Sequence, residues 1–239
     1  MPRRRWIADE FSSERASLLG ENAAHLARVL RARVGQRFDL ACGDVVRVGT
    51  VLSVDDERVE FSLGDLVAQS AEPEIILLMA IYKFDRMEWA IEKCTELGAT
   101  RIVPVVARRT DAHLASAAAK RVERWRRIAH EAAQQSRRLR PPQIDEPAKL
   151  AAILKANSAP LAATRLLLNE DEEQLSLRSA LAEVVSPIAF AIGPEGGWTA
   201  DEFALFADAG WRSVTLGSRI LRAETAAIAA LALASSLLD

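Results

Sequence analysis

Two glycine-bearing segments carry the residue types from which a small-molecule site is built. The first is Ile192-Gly193-Pro194-Glu195-Gly196-Gly197-Trp198. Its three glycines permit positive φ and a close approach of backbone to a ligand, while Pro194 stiffens the turn. Thr199, with Glu202 three residues on, makes a capping box, so this segment leads into a helix N-terminus. In open α/β sheets ligands bind at that edge of the sheet, and a plain tight connection is the alternative. The second segment is Leu216-Gly217-Ser218-Arg219-Ile220-Leu221-Arg222-Ala223-Glu224-Thr225-Ala226. Apolar side chains in a connecting loop need something to cover them: they line a pocket for a flat ring, or they plug the core.

Other chemistries leave no trace in the chain. No G-x-G-x-x-G follows the first strand of the α/β region, no G-x-x-x-x-G-K-[ST] occurs, and no G-x-S-x-G elbow is present. His25, His113 and His130 lie far apart in sequence and suggest neither a metal site nor a triad. Cys42 and Cys94 are the only cysteines, which fits a reducing cytosol and a cytoplasmic location. The basic start, Arg3-Arg4-Arg5, is followed by Asp9 and Glu10 rather than by the apolar stretch of a signal peptide. Ala226–Leu238 is apolar but short and contains Ser235 and Ser236, so it is expected to be a buried helix and not a membrane span.

The net charge of −2 hides an asymmetry. Residues 101–140 hold eleven Lys/Arg against three Asp/Glu, and residues 145–210 hold four against eleven. A basic stretch of this kind is a footprint for a polyanion or, alternatively, a solvated helix face.

The elements that must position these segments fall into two regions. Residues 1–70 are expected to form a small β-rich domain, with strands over Arg37–Ala41, Val45–Val54 and Arg58–Leu63. Asn22–Arg31 has helical spacing, which would put Arg28 and Arg31 on one helix face. After a linker over 68–73, residues 73–239 alternate strand and helix. The predicted strands are Ile75–Ile81, Ile102–Val106, one within Leu161–Leu168, Ile188–Ile192 and Val214–Leu216. The predicted helices are Arg86–Leu97, ended by Gly98, a long one over Ala115–Gln135, and Glu224–Leu238. That alternation implies an α/β fold with a mainly parallel sheet.

The two loops together resemble the signature loops of the RsmE family, bacterial 16S ribosomal RNA uridine-N3 methyltransferases of the SPOUT class. The likeness spans nearly the whole chain. Glu92-Lys93-Cys94-Thr95-Glu96-Leu97-Gly98 resembles the family's KxxELG helix end, and Arg109 its arginine after the second strand. Glu131-Ala132-Ala133-Gln134-Gln135 resembles its EAxxQ segment, and His25-Leu26-Ala27-Arg28-Val29-Leu30-Arg31 its HxxRVLR. The chain departs from the pattern at Arg108, where an acidic residue is common, at Ser218, where proline is common, and at Asn169-Glu170.

The resemblance implies a fold, a cofactor and a partner. The fold is a SPOUT-type trefoil-knotted, mainly parallel sheet behind a small PUA-like β-barrel domain. S-adenosyl-L-methionine would be held by Leu168, Gly193, Gly196, Gly197, Leu216, Gly217, Ile220 and Leu221. Arg222 is the candidate for fixing the uracil or stabilising its anion, with pairing to Glu224 or Glu195 as its structural alternative. Glu195 would take the N3 proton or hold its own loop. Arg4, Arg28, Arg31, Arg109, Arg137, Arg138 and Arg140 are candidates for RNA contacts. The implied partners are 16S rRNA in the 30S subunit and a second copy of the chain, with no membrane and no metal. A SPOUT relative acting on a tRNA ribose, or an assembly factor without methyl transfer, are the rival functions.

Overall fold

The computed structural model describes residues 5–68, 73–136, 138–155, 163–182, 184 and 186–238. They form two compact units, one of residues 1–71 with 133–141 and one of residues 72–132 with 142–239.

In the first unit a six-stranded sheet is built from β1 (Arg5–Ile7), β2 (Glu10–Phe11), β3 (Arg15–Leu19), β4 (Arg37–Cys42), β5 (Val45–Val54) and β6 (Arg58–Val67). Its order is β1-β4-β5-β6-β3-β2, antiparallel except for the β1–β4 pair. Phe38, Leu40, Val51, Val59 and Phe61 face one core, with Leu18 and Leu26 closing it. The alternation of buried and exposed residues along these strands is the period-2 signal of a half-buried sheet.

The expected Asn22–Arg31 helix is shorter and distorted. α1 covers only Gly20–Ala24, a single turn of π-helix follows over His25–Val29, and Arg31 has φ +50°. Arg31 therefore lies outside the helix and shares no helix face with Arg28. Residues 133–141 also depart from the expected division, because Ala133 and Leu139 pack with Ile7, Ala41 and Val46 of the first unit.

The second unit is a three-layer α/β arrangement. Its strands are β7 (Ile75–Ala80), β8 (Arg101–Val106), β9 (Gln143–Ile144), β10 (Ala148–Lys149), β11 (Thr164–Leu168), β12 (Ile188–Ile192) and β13 (Arg212–Val214). The order is β10-β8-β7-β12-β11-β13, with β9 also on β8, and every pairing is parallel. The continuous apolar runs of β7 and β12 are explained by burial on both faces. Ile75, Leu77 and Met79, with Ile188, Phe190 and Ile192, face one layer of helices. Ile76, Leu78 and Ala80, with Ala189 and Ala191, face the other.

On the first face lie α2 (Phe84–Glu96), α4 (Val122–Gln135), α6 (Leu177–Leu181) and α8 (Ala223–Leu238); α3 (Ala112–Ala117) precedes α4 in the chain. On the second lie α5 (Leu150–Lys155) and α7 (Ala200–Asp208). The long helix expected over 115–135 is broken: a turn of 3-10 helix over Ala118–Arg121 separates α3 from α4. Its Ala118 is buried in the core, and Asp111 starts a separate short helix by accepting from the N–H groups of His113 and Leu114. The last strand ends at Val214, two residues before the expected limit, because the backbone at Thr215 turns to bond Leu175 and Leu177 instead. Among the described residues no helix is long and apolar enough to cross a membrane.

Candidate active site at the carboxyl ends of three strands

Leu168, Ile192 and Val214 end the adjacent strands β11, β12 and β13, and all three open onto one cleft of about 510 Å³. That volume falls in the range of about 300–1,000 Å³ typical of small-molecule sites. Both glycine-bearing loops border the cleft, together with Asn169–Asp171 after β11 and with Lys83 and Arg86 after β7. Every expected cofactor-binding residue lines it, from Leu168 to Leu221, and so do Glu195, Arg222 and Arg109.

The β12–α7 loop is held from inside. The Gly197 N–H donates to the Pro194 carbonyl at 2.8 Å, and Gly197 has φ +70°, a conformation that favours glycine. Pro194 is buried, while Glu195 and Gly196 face solvent. A Cβ at Gly193 would stand 3.2 Å from Trp198 Nε1, so glycine there permits the indole to close beneath the loop. The capping box is present: Thr199 Oγ1 accepts from the Glu202 N–H, and Glu202 Oε2 accepts from the Thr199 N–H at 2.9 Å. Glu202 is only 3% exposed, and its Oε1 accepts from the Arg108 N–H at 2.8 Å. The segment after β8 is thus tied to this loop, and the neighbouring Arg109 adds a second tie by donating from Nη1 to the Gly196 carbonyl. Bracing the loop is the contact the structure gives Arg109, which sequence suggested for RNA.

The β13–α8 loop turns at Gly217, whose φ of +114° no residue with a side chain adopts cheaply. Thr215 Oγ1 accepts from the Gly217 N–H at 3.1 Å and donates to its carbonyl at 3.2 Å. Ile220 is 81% exposed within the cleft, while Leu216 and Leu221 are half-buried there. An apolar side chain left this open beside two glycine-rich turns fits a site that a flat, partly apolar ligand would cover.

Among the described residues the cleft carries five cations, Lys83, Arg86, Arg109, Arg219 and Arg222, against the carboxylates of Glu170, Asp171 and Glu195. Among the described residues Arg222 and Glu195 make no side-chain hydrogen bond or ion pair. The alternative pairings suggested for Arg222 do not form, because Glu224 is taken by Arg86, whose Nη1 donates to Glu224 Oε1 at 3.0 Å. Nor does Glu195 hold its loop, a task performed by Gly197, Arg109 and Glu202. Sequence did not single out Lys83 or Arg86. Their only signal was a position just past the carboxyl end of an apolar strand, the same edge that pointed to the two loops.

Of the remaining arginine candidates, Arg28, Arg31, Arg138 and Arg140 belong to the first unit. Arg28 pairs with Asp56 at 2.7 Å and Arg140 with Asp44 at 2.9 Å, both at the surface. Arg31 is exposed and in no ion pair among the described residues. Arg138 is 6% exposed, which removes it from the candidates for phosphate contact in this conformation. Arg4 and Arg137 lie outside the described residues.

Comparison with known proteins identifies the family. Residues 69–235 match the family model of the RNA methyltransferase domain. The chain is 33% identical to the ribosomal RNA small subunit methyltransferase E of Synechocystis over 225 residues, 90% of this chain and 71% of that protein. It belongs to the ribosomal RNA small subunit methyltransferase E family. The relative from Mycobacterium tuberculosis is also 33% identical, over 89% of this chain and 82% of its own. The crystal structure of the Neisseria gonorrhoeae family member bound to S-adenosyl methionine superimposes with a TM-score of 0.82 at 30% identity, covering 98% of both chains. The fold is therefore the expected SPOUT-type mainly parallel sheet, and the first unit carries the expected barrel-like antiparallel sheet. The segment that leads into α8 is bonded at Thr215 to Leu175 and Leu177.

Proposed function

We propose that this protein transfers the methyl group of S-adenosylmethionine to N3 of a uridine in the decoding region of 16S rRNA, on the assembled 30S subunit. The observation that carries this is the convergence of three strand ends and two glycine-bearing loops on one cleft, whose wall includes Arg222 and Glu195, both unpaired among the described residues. The family member bound to S-adenosyl methionine supports the choice of cofactor.

Gly193, Gly196, Gly197 and Gly217 offer backbone without side-chain bulk, and Leu168, Leu216, Ile220 and Leu221 offer aliphatic cover for an adenine ring. When bound, S-adenosylmethionine supplies an electrophilic methyl group on a sulfonium. The chain's own work is to orient the base and manage a proton. Uracil N3 is protonated and a poor nucleophile near neutral pH, so the proton must leave and the resulting anion must be stabilised. Glu195, exposed and unpartnered among the described residues, is the proton acceptor in this reading. Arg222, likewise free, fixes the uracil and shares its charge.

The surface arginines Arg28, Arg31 and Arg140 of the first unit hold RNA phosphates in this scheme. The active form is a homodimer with a twofold axis through the face of α8 that its own core leaves open. The proposal is tested by incubating the purified protein with labelled S-adenosylmethionine, 30S subunits from a strain lacking this modification, and bulk transfer RNA. Label in 16S rRNA is expected, whereas label only in transfer RNA would point to the rival substrate.

A further inference from the structure

Arg86 and Glu224 form a linked pair at the cleft that the proposed reaction has so far left without a role. Arg86 stands in the first turn of α2 and lines the cleft. The one hydrogen-bonded partner of its guanidinium among the described residues is Glu224, at 3.0 Å. Glu224 stands in the first turn of α8 and is 6% exposed. Its second oxygen, Oε2, is buried without a hydrogen-bond partner among the described residues.

These facts constrain one another. The partial positive charge of a helix N-terminus attracts a carboxylate. Buried, and with one arginine as its side-chain partner among the described residues, Glu224 holds that arginine strongly, since an uncompensated buried charge is costly. A guanidinium carries five N–H donors in a rigid fork. Glu224 therefore fixes one edge of the Arg86 guanidinium and leaves its other donors for the cleft. Arg222 differs: it borders the same cleft with no tether among the described residues.

We infer that Arg86 is a catalytic residue which donates hydrogen bonds to a carbonyl oxygen of the target uracil, and that Glu224 is the positioning residue that fixes it. The inference rests on the uridine-N3 reading. In the step concerned, the N3–H bond breaks and the proton passes to the Glu195 carboxylate. The electron pair stays on N3 and is shared with the flanking carbonyl oxygens, where the fixed Arg86 meets the new charge. A donor already oriented needs no reorganisation as charge develops, which is why such groups act more strongly than mobile ones.

The test is the pH dependence of kcat for methylation of 30S subunits, at saturating cofactor and RNA, with calorimetry of S-adenosylmethionine binding beside it. Loss of the cation raises the pH at which bound uridine ionises. Arg86→Gln is expected to lower kcat at neutral pH by about 10²-fold. Its ascending limb should move to higher pH while cofactor affinity stays unchanged. Arg86→Lys, keeping charge without the fork, should recover part of that loss. Glu224→Gln should shift the limb in the same direction by less. Arg86→Gln with Glu224→Gln, which leaves no buried charge unpaired and so protects folding, should be no worse than Arg86→Gln alone. A limb unmoved in Arg86→Gln, a loss confined to KM or to cofactor affinity, or effects that multiply in the double variant would overturn the inference. A wild-type product without methyl at uridine N3 overturns the uridine-N3 reading and this inference together; an N3-methylated product with an unmoved limb overturns only the inference.

Discussion

Glu202 accepts a hydrogen bond from the Arg108 N–H at 2.8 Å while also capping its own helix through Thr199. One buried carboxylate thereby fixes the β12–α7 loop, the start of α7 and the segment that carries Arg109. Its removal leaves three donors, the N–H groups of Arg108 and Thr199 and the Thr199 hydroxyl, without their acceptor. Glu202→Ala is expected to lower stability by about 3 kcal/mol, the scale of broken charge-assisted bonds plus a missing cap. Thermal denaturation reads this, and calorimetry should show weaker S-adenosylmethionine binding in the surviving folded protein.

Gly197 combines φ +70° with a place on the cleft wall, where a Cβ would stand 3.9 Å from Arg109 Nη1 and 4.0 Å from Glu170 Oε1. Space for one carbon exists there, so the cost of a larger residue falls on the backbone and on the ligand rather than on the core. Gly197→Val is expected to weaken cofactor binding at least tenfold, since a β-branched residue resists positive φ at a cost of about 1–2 kcal/mol. A folded variant with unchanged affinity by calorimetry would place this loop outside the pocket.

Much of this site was legible in the sequence because glycine, proline and a capping box report backbone conformation directly. The two loops, the strands before them and the cap at Gly98 all follow from local chemistry. What escaped sequence depends on long-range partners. Arg86 finds Glu224 from 138 residues away, and nothing near either residue announces the other. The break between α3 and α4 was hidden because Ala115–Gln135 has good helical propensity throughout, and core packing around Ala118 decides the outcome. Arg28 and Arg31 have the spacing of one helix face, yet the π-turn and the positive φ of Arg31 separate them. The knot that the family resemblance implies leaves no mark in periodicity, since it concerns the order in which segments cross.

The last helix buries Ala227, Ala230, Leu231 and Ala234 in its own core but leaves Leu233 and Leu237 exposed, as Trp89 is on the neighbouring α2. An apolar surface of this kind suits a twofold interface. Light scattering at micromolar concentration is expected to give twice the 26.1 kDa chain mass, and Leu233→Asp to give monomers. A wild-type protein at the monomer mass would contradict the proposed dimer.

RNA binding and chemistry are expected to separate under mutation. Arg28→Ala with Arg31→Ala should weaken binding to 30S subunits, and each phosphate that is no longer neutralised should reduce the slope of log affinity against log salt by about 1. Cofactor affinity should not change. Arg222→Ala should instead slow methyl transfer at saturating RNA and cofactor, because its assigned interaction strengthens as the base ionises. Loss confined to apparent affinity would make Arg222 a binding residue.

The central claim, methylation of a uridine at N3 in small-subunit rRNA, is most directly tested by mass spectrometry of nuclease-digested 16S rRNA from a strain deleted for this gene. The expected result is the loss of one N3-methyluridine, restored by the wild-type protein and not by a variant carrying both Glu195→Gln and Arg222→Ala. Persistence of that nucleoside in the deletion strain, or loss of a ribose-methylated nucleoside in its place, would contradict the account.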